Sequence, residues 1–326
     1  MKAIVYDRYG PPDVLELTDI DKPVVRDDEA LVRVRASPAS AYYWDLPAGL
    51  RYVGRMTIGR RKSGSSVAGL GLAGQVEAVG KNVTRFQPGG EVSGWCKGAL
   101  AEYVSVSENA LALKPANITF EQAAVVPTLA VTALQALRDK GQLQAGQKVL
   151  IVGASGGVGT FAVQIAKARG AHVTGVCSTR NVDMVRSIGA DHIIDYTRED
   201  FTATGERYDL ILDIAGDRSL SDLRRALTSN GTLVMVGSSG VAASDLLVLR
   251  GFYRWLKALV LSRFVRQRLR AMIQTRSTED LATLMGLIEA GKVTPVLSAT
   301  YPLSEVPEAS RHFDDGHGGG RVVITV

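Results

Sequence analysis

Up to about residue 122, apolar and polar residues alternate in short runs at 2–6, 30–36, 74–79 and 102–106, set apart by Gly, Pro and Asp. That two-residue period belongs to half-buried strands, and it predicts a mostly antiparallel, barrel-like β domain. From Phe120 the pattern changes. Continuous apolar runs at 148–153, 171–177, 192–195, 210–213 and 232–236 now alternate with helix-period stretches, clearest at 121–138 and 160–169. Such alternation predicts a parallel, doubly wound sheet. A helix at 279–290 and a strand at 321–326 close the chain. The expected fold is α/β, with residues 1–122 completed by about 276–326 and a second domain, 123–275, inserted between them.

One turn in the second domain carries chemistry. Ala154-Ser155-Gly156-Gly157-Val158-Gly159 joins the strand at 148–153 to the helix at 160–169. A glycine turn there presents backbone N–H groups at the positive end of a helix, and without Cβ atoms a pyrophosphate can approach. Glycines at this spacing also occur in loops that bind nothing. The following strand, 171–177, completes a βαβ unit and gives the turn its dinucleotide-binding context. An NAD site places an acid about 20 residues beyond the glycines, at the end of that strand, to accept from the ribose hydroxyls. This chain reads Ser178-Thr179-Arg180-Asn181 there, with no acid before Asp183. Hydroxyls and a guanidinium fork suit a 2′-phosphate, so NADPH is expected over NADH. The bland alternative makes Arg180 an ordinary exposed arginine at the start of a helix.

The composition, 46% hydrophobic and 22% charged over 326 residues, is that of ordinary globular domains. No run of eighteen apolar residues appears, and the chain opens directly on a strand-like segment, so neither a membrane span nor a secretory signal is expected. Two cysteines, Cys96 and Cys177, cannot build a disulfide framework and point to a reducing compartment. A cytoplasmic enzyme is the simplest class. The net charge of +5 is uneven, because no acid lies between Asp245 and Glu279 while eight Lys and Arg accumulate there. Phe252, Trp255, Leu256, Leu259 and Val260 recur at helical spacing among them, which predicts one amphipathic basic helix from Arg250 to Arg270. Such a helix can lie on an anionic membrane, cover a hydrophobic cleft or pack on a second subunit. Packing or a lid is favoured, and no nucleic-acid partner is expected.

These segments, with 76–86, 101–104, 188–196, 288–292 and 301–309, resemble the medium-chain dehydrogenase/reductase superfamily, in its zinc-free quinone oxidoreductase branch. The resemblance runs over nearly the whole chain. It implies a GroES-like catalytic domain, a Rossmann domain, a cleft between them and a homodimer. Where zinc-dependent relatives carry Gly-His-Glu, this chain has Gly69-Leu70-Gly71, and the early cysteine position falls within 40–44, Ser-Ala-Tyr-Tyr-Trp. The four-cysteine lobe is missing, leaving Cys96 by itself, so no tetrahedral zinc set can be assembled. Without a Lewis acid, hydride transfer favours small hydrophobic acceptors that stabilise charge by conjugation, either quinones or α,β-unsaturated carbonyls. An enoyl reductase of a biosynthetic pathway is the near alternative. A catalytically lapsed NADPH-binding regulatory or interaction protein is the distant one, because Ser40 and Tyr43 replace an Asn and an Asp of the branch.

The resemblance also distributes roles. Tyr43 and Tyr52, in an aromatic cluster with Tyr42 and Trp44, are candidates to orient or protonate a carbonyl, the alternative being ordinary packing. Thr132 matches a threonine facing the nicotinamide, the alternative being a helical threonine bonding its own backbone. Tyr196 matches a tyrosine beside the adenosine phosphate and joins Ser178 and Arg180. Gly237 and Ser238 follow the strand at 232–236, on the ligand-binding edge of such sheets. Arg321 stands near a position where relatives carry a phosphate-facing arginine.

Overall fold

The computed structural model describes residues 1–7, 12–39, 66–236, 245–314 and 322–326. The chain divides into two compact units: 1–131 with 275–291 and 295–326, and 132–274 with 292–294. The sequence pattern alone puts the first boundary at 122/123, ahead of the division at 131/132 and within the same helical run.

The first unit begins with β1 (Lys2–Tyr6), β2 (Glu16–Asp19), β3 (Glu29–Pro38) and β4 (Ser66–Val67). It continues with β5 (Gly71–Val79), β6 (Glu91–Trp95), β7 (Tyr103–Ser107) and β8 (Leu111–Leu113). β1 pairs antiparallel with β2 and β4, while β3 takes β5 and β7 as antiparallel neighbours. Along β3, Val32, Val34 and Ala36 are buried while Arg33 and Arg35 are exposed, which is the alternation the sequence displays. Val32 and Val34 share one core with Val76, Val92, Val104, Val106 and Leu111.

The helical run α1 (Phe120–Lys140) follows. A reciprocal cap opens it: Thr119 Oγ1 accepts from the Gln122 amide at 3.2 Å, and Gln122 Oε1 accepts from the Thr119 amide at 3.0 Å. Pro127 has no N–H to give the Ala123 carbonyl. The buried Ser93 hydroxyl donates to that carbonyl at 2.8 Å instead. Beyond the proline the helix widens, with Val131 N–H reaching back to the Val126 carbonyl. Length and composition alone would let α1 cross a membrane, but 67% of its most apolar window is buried within the chain, as in a core helix.

The second unit is built from β9 (Lys148–Val152), α2 (Gly157–Ala168), β10 (His172–Cys177), α3 (Val182–Ser187) and β11 (His192–Asp195). Then come β12 (Tyr208–Asp213), α4 (Leu220–Arg225), β13 (Leu227–Met235), α5 (Asp245–Leu261) and β14 (Arg268–Ala271). The six strands lie in the order β11-β10-β9-β12-β13-β14, all parallel. β9 and β12 are unbroken apolar runs because helices cover both faces of such a sheet: Val149 to Val152 and Leu210 to Leu212 are all buried. The chain leaves β9 toward β10 and β11, then crosses back to β12 on the other side of β9. The ends of β9 and β12 therefore flank the point where such folds receive nucleotides.

The basic segment from Arg250 to Arg270 is not one helix. α5 ends at Leu261, and Arg268–Ala271 becomes the edge strand β14, its Leu269 buried. Residues 268–271 also fit a strand period, and pairing with β13 decides between the two. The chain then returns to the first unit through α6 (Thr278–Glu289), β15 (Ala299–Pro302), α7 (Val306–Asp314) and β16 (Val322–Thr325). β16 lies between β15 and β3, completing the larger sheet.

Candidate functional site: a nucleotide-binding edge

The turn after β9 is shaped by close approach. Gly153 has φ +89°, in the left-handed region that favours glycine. Gly153 and Ala154 donate to the Val176 carbonyl of β10 at 3.2 and 3.0 Å, tying the turn to the neighbouring strand. A Cβ on Gly159 would stand 2.1 Å from the Gly153 carbonyl oxygen, so only glycine lets α2 start this close to the strand. Gly156 is the cap residue, and no side chain caps the first turn of α2. Among the described residues, no side-chain cap therefore occupies the positive end of α2 at Gly156.

The end of β10 carries no acid, as the sequence predicts. Ser178 and Ser155 are brought together by Asn181, whose Nδ2 donates to both hydroxyl oxygens, at 3.1 and 3.2 Å. Sequence reasoning passes over Asn181. The only signal was its place directly after Arg180, and the bond spans 26 positions. Arg180 is exposed on the short turn Thr179–Asn181, and no described residue pairs with its guanidinium. Tyr196 is 54% exposed just beyond β11, its amide donating to the Cys177 carbonyl at 3.1 Å.

Thr179 behaves differently from Ser178. Its hydroxyl donates to Asp195 at the end of β11, and the Thr197 hydroxyl and amide donate to the same carboxylate at 2.7 and 3.0 Å. The Thr179 bond is the chief reason the Asp195 carboxyl sits below the usual carboxylate range. With its one proton spent on Asp195, the Thr179 hydroxyl is not a phosphate donor in this arrangement. A concavity of about 610 Å³ opens beside these two residues. Its walls carry Asp183, Asp191, Asp195 and Glu199 against only Arg186 and Arg198, an excess of acid that disfavours a phosphate.

Across the switch point, Asp213 ends β12 fully buried, one oxygen accepting from the Gly216 amide at 3.0 Å. Arg254 of α5 ion-pairs with its other oxygen and donates through Nη1 to the Gly216 carbonyl at 2.6 Å. Burial pulls the Arg254 guanidinium below its usual range. On the same inner side of α5, Ala258 is buried and Trp255 and Leu261 pack on the sheet's core. Trp255 is therefore a core residue, not a member of an outward face shared with Leu256 and Leu259. Thr132 lies half-buried on α1. Tyr43, Tyr52, Gly237, Ser238 and Arg321 fall outside the described residues. Among the described residues, no three His, Cys, Asp or Glu side chains gather as a metal-ligand set.

The chain is similar to known proteins over its whole length. The alcohol dehydrogenase GroES-like domain family matches residues 26–116, and the family described as zinc-binding dehydrogenase matches 188–324. The mitochondrial NAD(P)H oxidoreductase RTN4IP1 of Mus musculus is 34% identical, over 100% of this chain and 89% of its own length. The chain belongs to the medium-chain dehydrogenase/reductase superfamily, in its zinc-free quinone oxidoreductase-like branch. The chloroplastic NADPH-dependent alkenal/one oxidoreductase of Arabidopsis thaliana is 33% identical, over 99% of this chain and 79% of its own length. The solved quinone oxidoreductase of Coxiella burnetii superposes with a TM-score of 0.83 at 28% identity, covering 100% and 99% of the two chains.

The family gives the two units their names, GroES-like and Rossmann, and makes this protein an NAD(P)H-dependent oxidoreductase. The mouse and Arabidopsis relatives are mitochondrial and chloroplastic by name. The two cysteines, both free and buried here, fit a reducing compartment without singling out the cytoplasm.

Proposed function

We propose that the protein is an NADPH-dependent, zinc-independent reductase that delivers hydride to a conjugated acceptor, a quinone or an α,β-unsaturated carbonyl. The observation that carries the cofactor preference is the end of β10, where Ser178 and an exposed Arg180, with no partner among the described residues, stand in place of an acid. The close packing of Gly159 on Gly153 brings the start of α2 against the strand, where its backbone N–H groups can hold a pyrophosphate. Ser178, Arg180 and Tyr196 hold the 2′-phosphate, and Asn181 fixes Ser178 against Ser155. Bound NADPH supplies the hydride.

The protein's share of the work is to stack acceptor on cofactor and exclude water. In this reading Tyr43 or Tyr52 orients the acceptor carbonyl, Thr132 lies toward the nicotinamide, and Gly237, Ser238 and Arg321 add cofactor contacts. Leu70 and Gly71 offer no side-chain donor where zinc-dependent relatives place ligands. The enzyme is a homodimer with a small hydrophobic substrate and works in a reducing compartment.

Oxidation of NADPH and NADH against a panel of quinones and enones tests the assignment. Turnover should favour NADPH by roughly tenfold, a gap of about 1.4 kcal/mol. Tight NADPH binding with no turnover on any acceptor would support the lapsed, regulatory reading instead. Prolonged chelation should leave activity intact with far less than one zinc per chain, and activity lost with stoichiometric zinc would refute metal independence.

A further inference from the structure

From Tyr253 to Leu261, α5 has two apolar faces, and among the described residues only one packs inside the chain. Arg254, Trp255, Ala258 and Leu261 turn toward the sheet. On the opposite side Tyr253, Leu256, Leu259 and Val260 are exposed, and the turn after the helix adds Phe264, which is 80% exposed. At a hundred degrees per residue these four helical positions fall within one stripe, continued by Phe264. A contiguous apolar ridge of this kind marks an interaction surface.

Its borders are cationic. Lys257, Arg263 and Arg266 are exposed and make no ion pair with a described residue. No acid occurs anywhere between Asp245 and Glu279. We propose that this ridge docks the protein on an anionic lipid surface, with the apolar side chains entering the headgroup boundary and the cations facing lipid phosphates.

The charge pattern selects this occupant. A second copy meeting the same ridge across a two-fold axis would gather Lys257, Arg263 and Arg266 of both copies around one buried patch, with no carboxylate in the segment to offset them. A nucleic acid would leave the apolar ridge without a partner. The anchoring of Arg254 to Asp213 and Gly216 holds the ridge on the folded domain, so docking needs no unfolding.

The test is cosedimentation of the full chain with vesicles of phosphatidylcholine alone or mixed with phosphatidylglycerol. The protein should bind the anionic vesicles and come off as salt is raised. The pair Lys257→Glu and Arg263→Glu should weaken binding by about tenfold or more. The pair Leu256→Ser and Phe264→Ser should weaken it as well, and both double variants should keep the native melting temperature and NADPH affinity. Failure to bind either vesicle would overturn the proposal, as would equal, salt-insensitive binding to both. A native dimer that falls to monomer in the Leu256→Ser and Phe264→Ser variant would make a second copy the occupant and overturn it too.

Discussion

Replacing Arg180 by Ala removes the one cation at the end of β10 that no described carboxylate neutralises. A hydrogen bond to a charged group contributes about 1.5–3 kcal/mol. Arg180 is exposed on its turn, so solvent screening puts the loss toward the lower limit. NADPH affinity should therefore fall by about tenfold, at about 1.4 kcal/mol per decade. NADH lacks the 2′-phosphate and should bind almost unchanged. Asp195 does not blur the comparison, because Thr179, Thr197 and Arg198 already engage its carboxylate, the last at 3.6 Å. Arg180→Lys should fall between, keeping the charge but losing the planar fork. Fluorescence titration of both cofactors measures the two dissociation constants, and raised salt should shrink the NADPH difference. Equal losses for NADPH and NADH, or none for either, would refute the assignment of Arg180 to the phosphate.

Three further outcomes follow from the same edge. Gly159→Ala should abolish cofactor binding and lower the melting temperature despite alanine's higher helix propensity, since its Cβ would meet the Gly153 oxygen at 2.1 Å. Arg254→Leu leaves Asp213 charged and buried with one amide as its partner among the described residues, and should cost about 3–5 kcal/mol in denaturant unfolding, part of it recovered by adding Asp213→Asn. Asp195 has a lowered folded-state pKa, set first by its bond from Thr179. Its stabilisation is thus present above the unfolded carboxyl value of about 3.9 and is lost as pH falls through the folded value. Asp195→Asn should flatten that acid limb of the melting-temperature profile, and an unchanged limb would assign it to other carboxylates.

The second unit was the more legible half of the chain. β9 and β12 centre on apolar runs, at 149–152 and 210–212, because helices cover both faces, and β10 is buried from Val173 to Cys177, so the sequence pattern survives the fold. In the first unit β6 and β8 escape such reading. Glu91–Trp95 carries a glycine at 94, and Leu111–Leu113 is too short to show a period. Arg268–Ala271 was hidden differently: its arginines extend the basic pattern of α5, and only hydrogen bonding to β13 makes it a strand. The glycine turn and the missing acid could be read directly because both are local. The bridge from Asn181 to Ser155 could not, because it joins residues from two different βα connections.

Trp255 and Leu256 show where sequence periodicity stops. The two side chains leave α5 about a hundred degrees apart, and both are apolar, so a hydrophobic pattern assigns them to one broad face. What separates them is Arg254. Its guanidinium is drawn to Asp213 because that carboxylate, buried at the end of β12, has among the described residues only the Gly216 amide besides it to share its charge. That bond fixes the rotation of the helix, turning Trp255 and Ala258 inward and leaving Leu256 and Val260 outside. A buried charge on the sheet thus decides which apolar residues the protein shows to its surroundings.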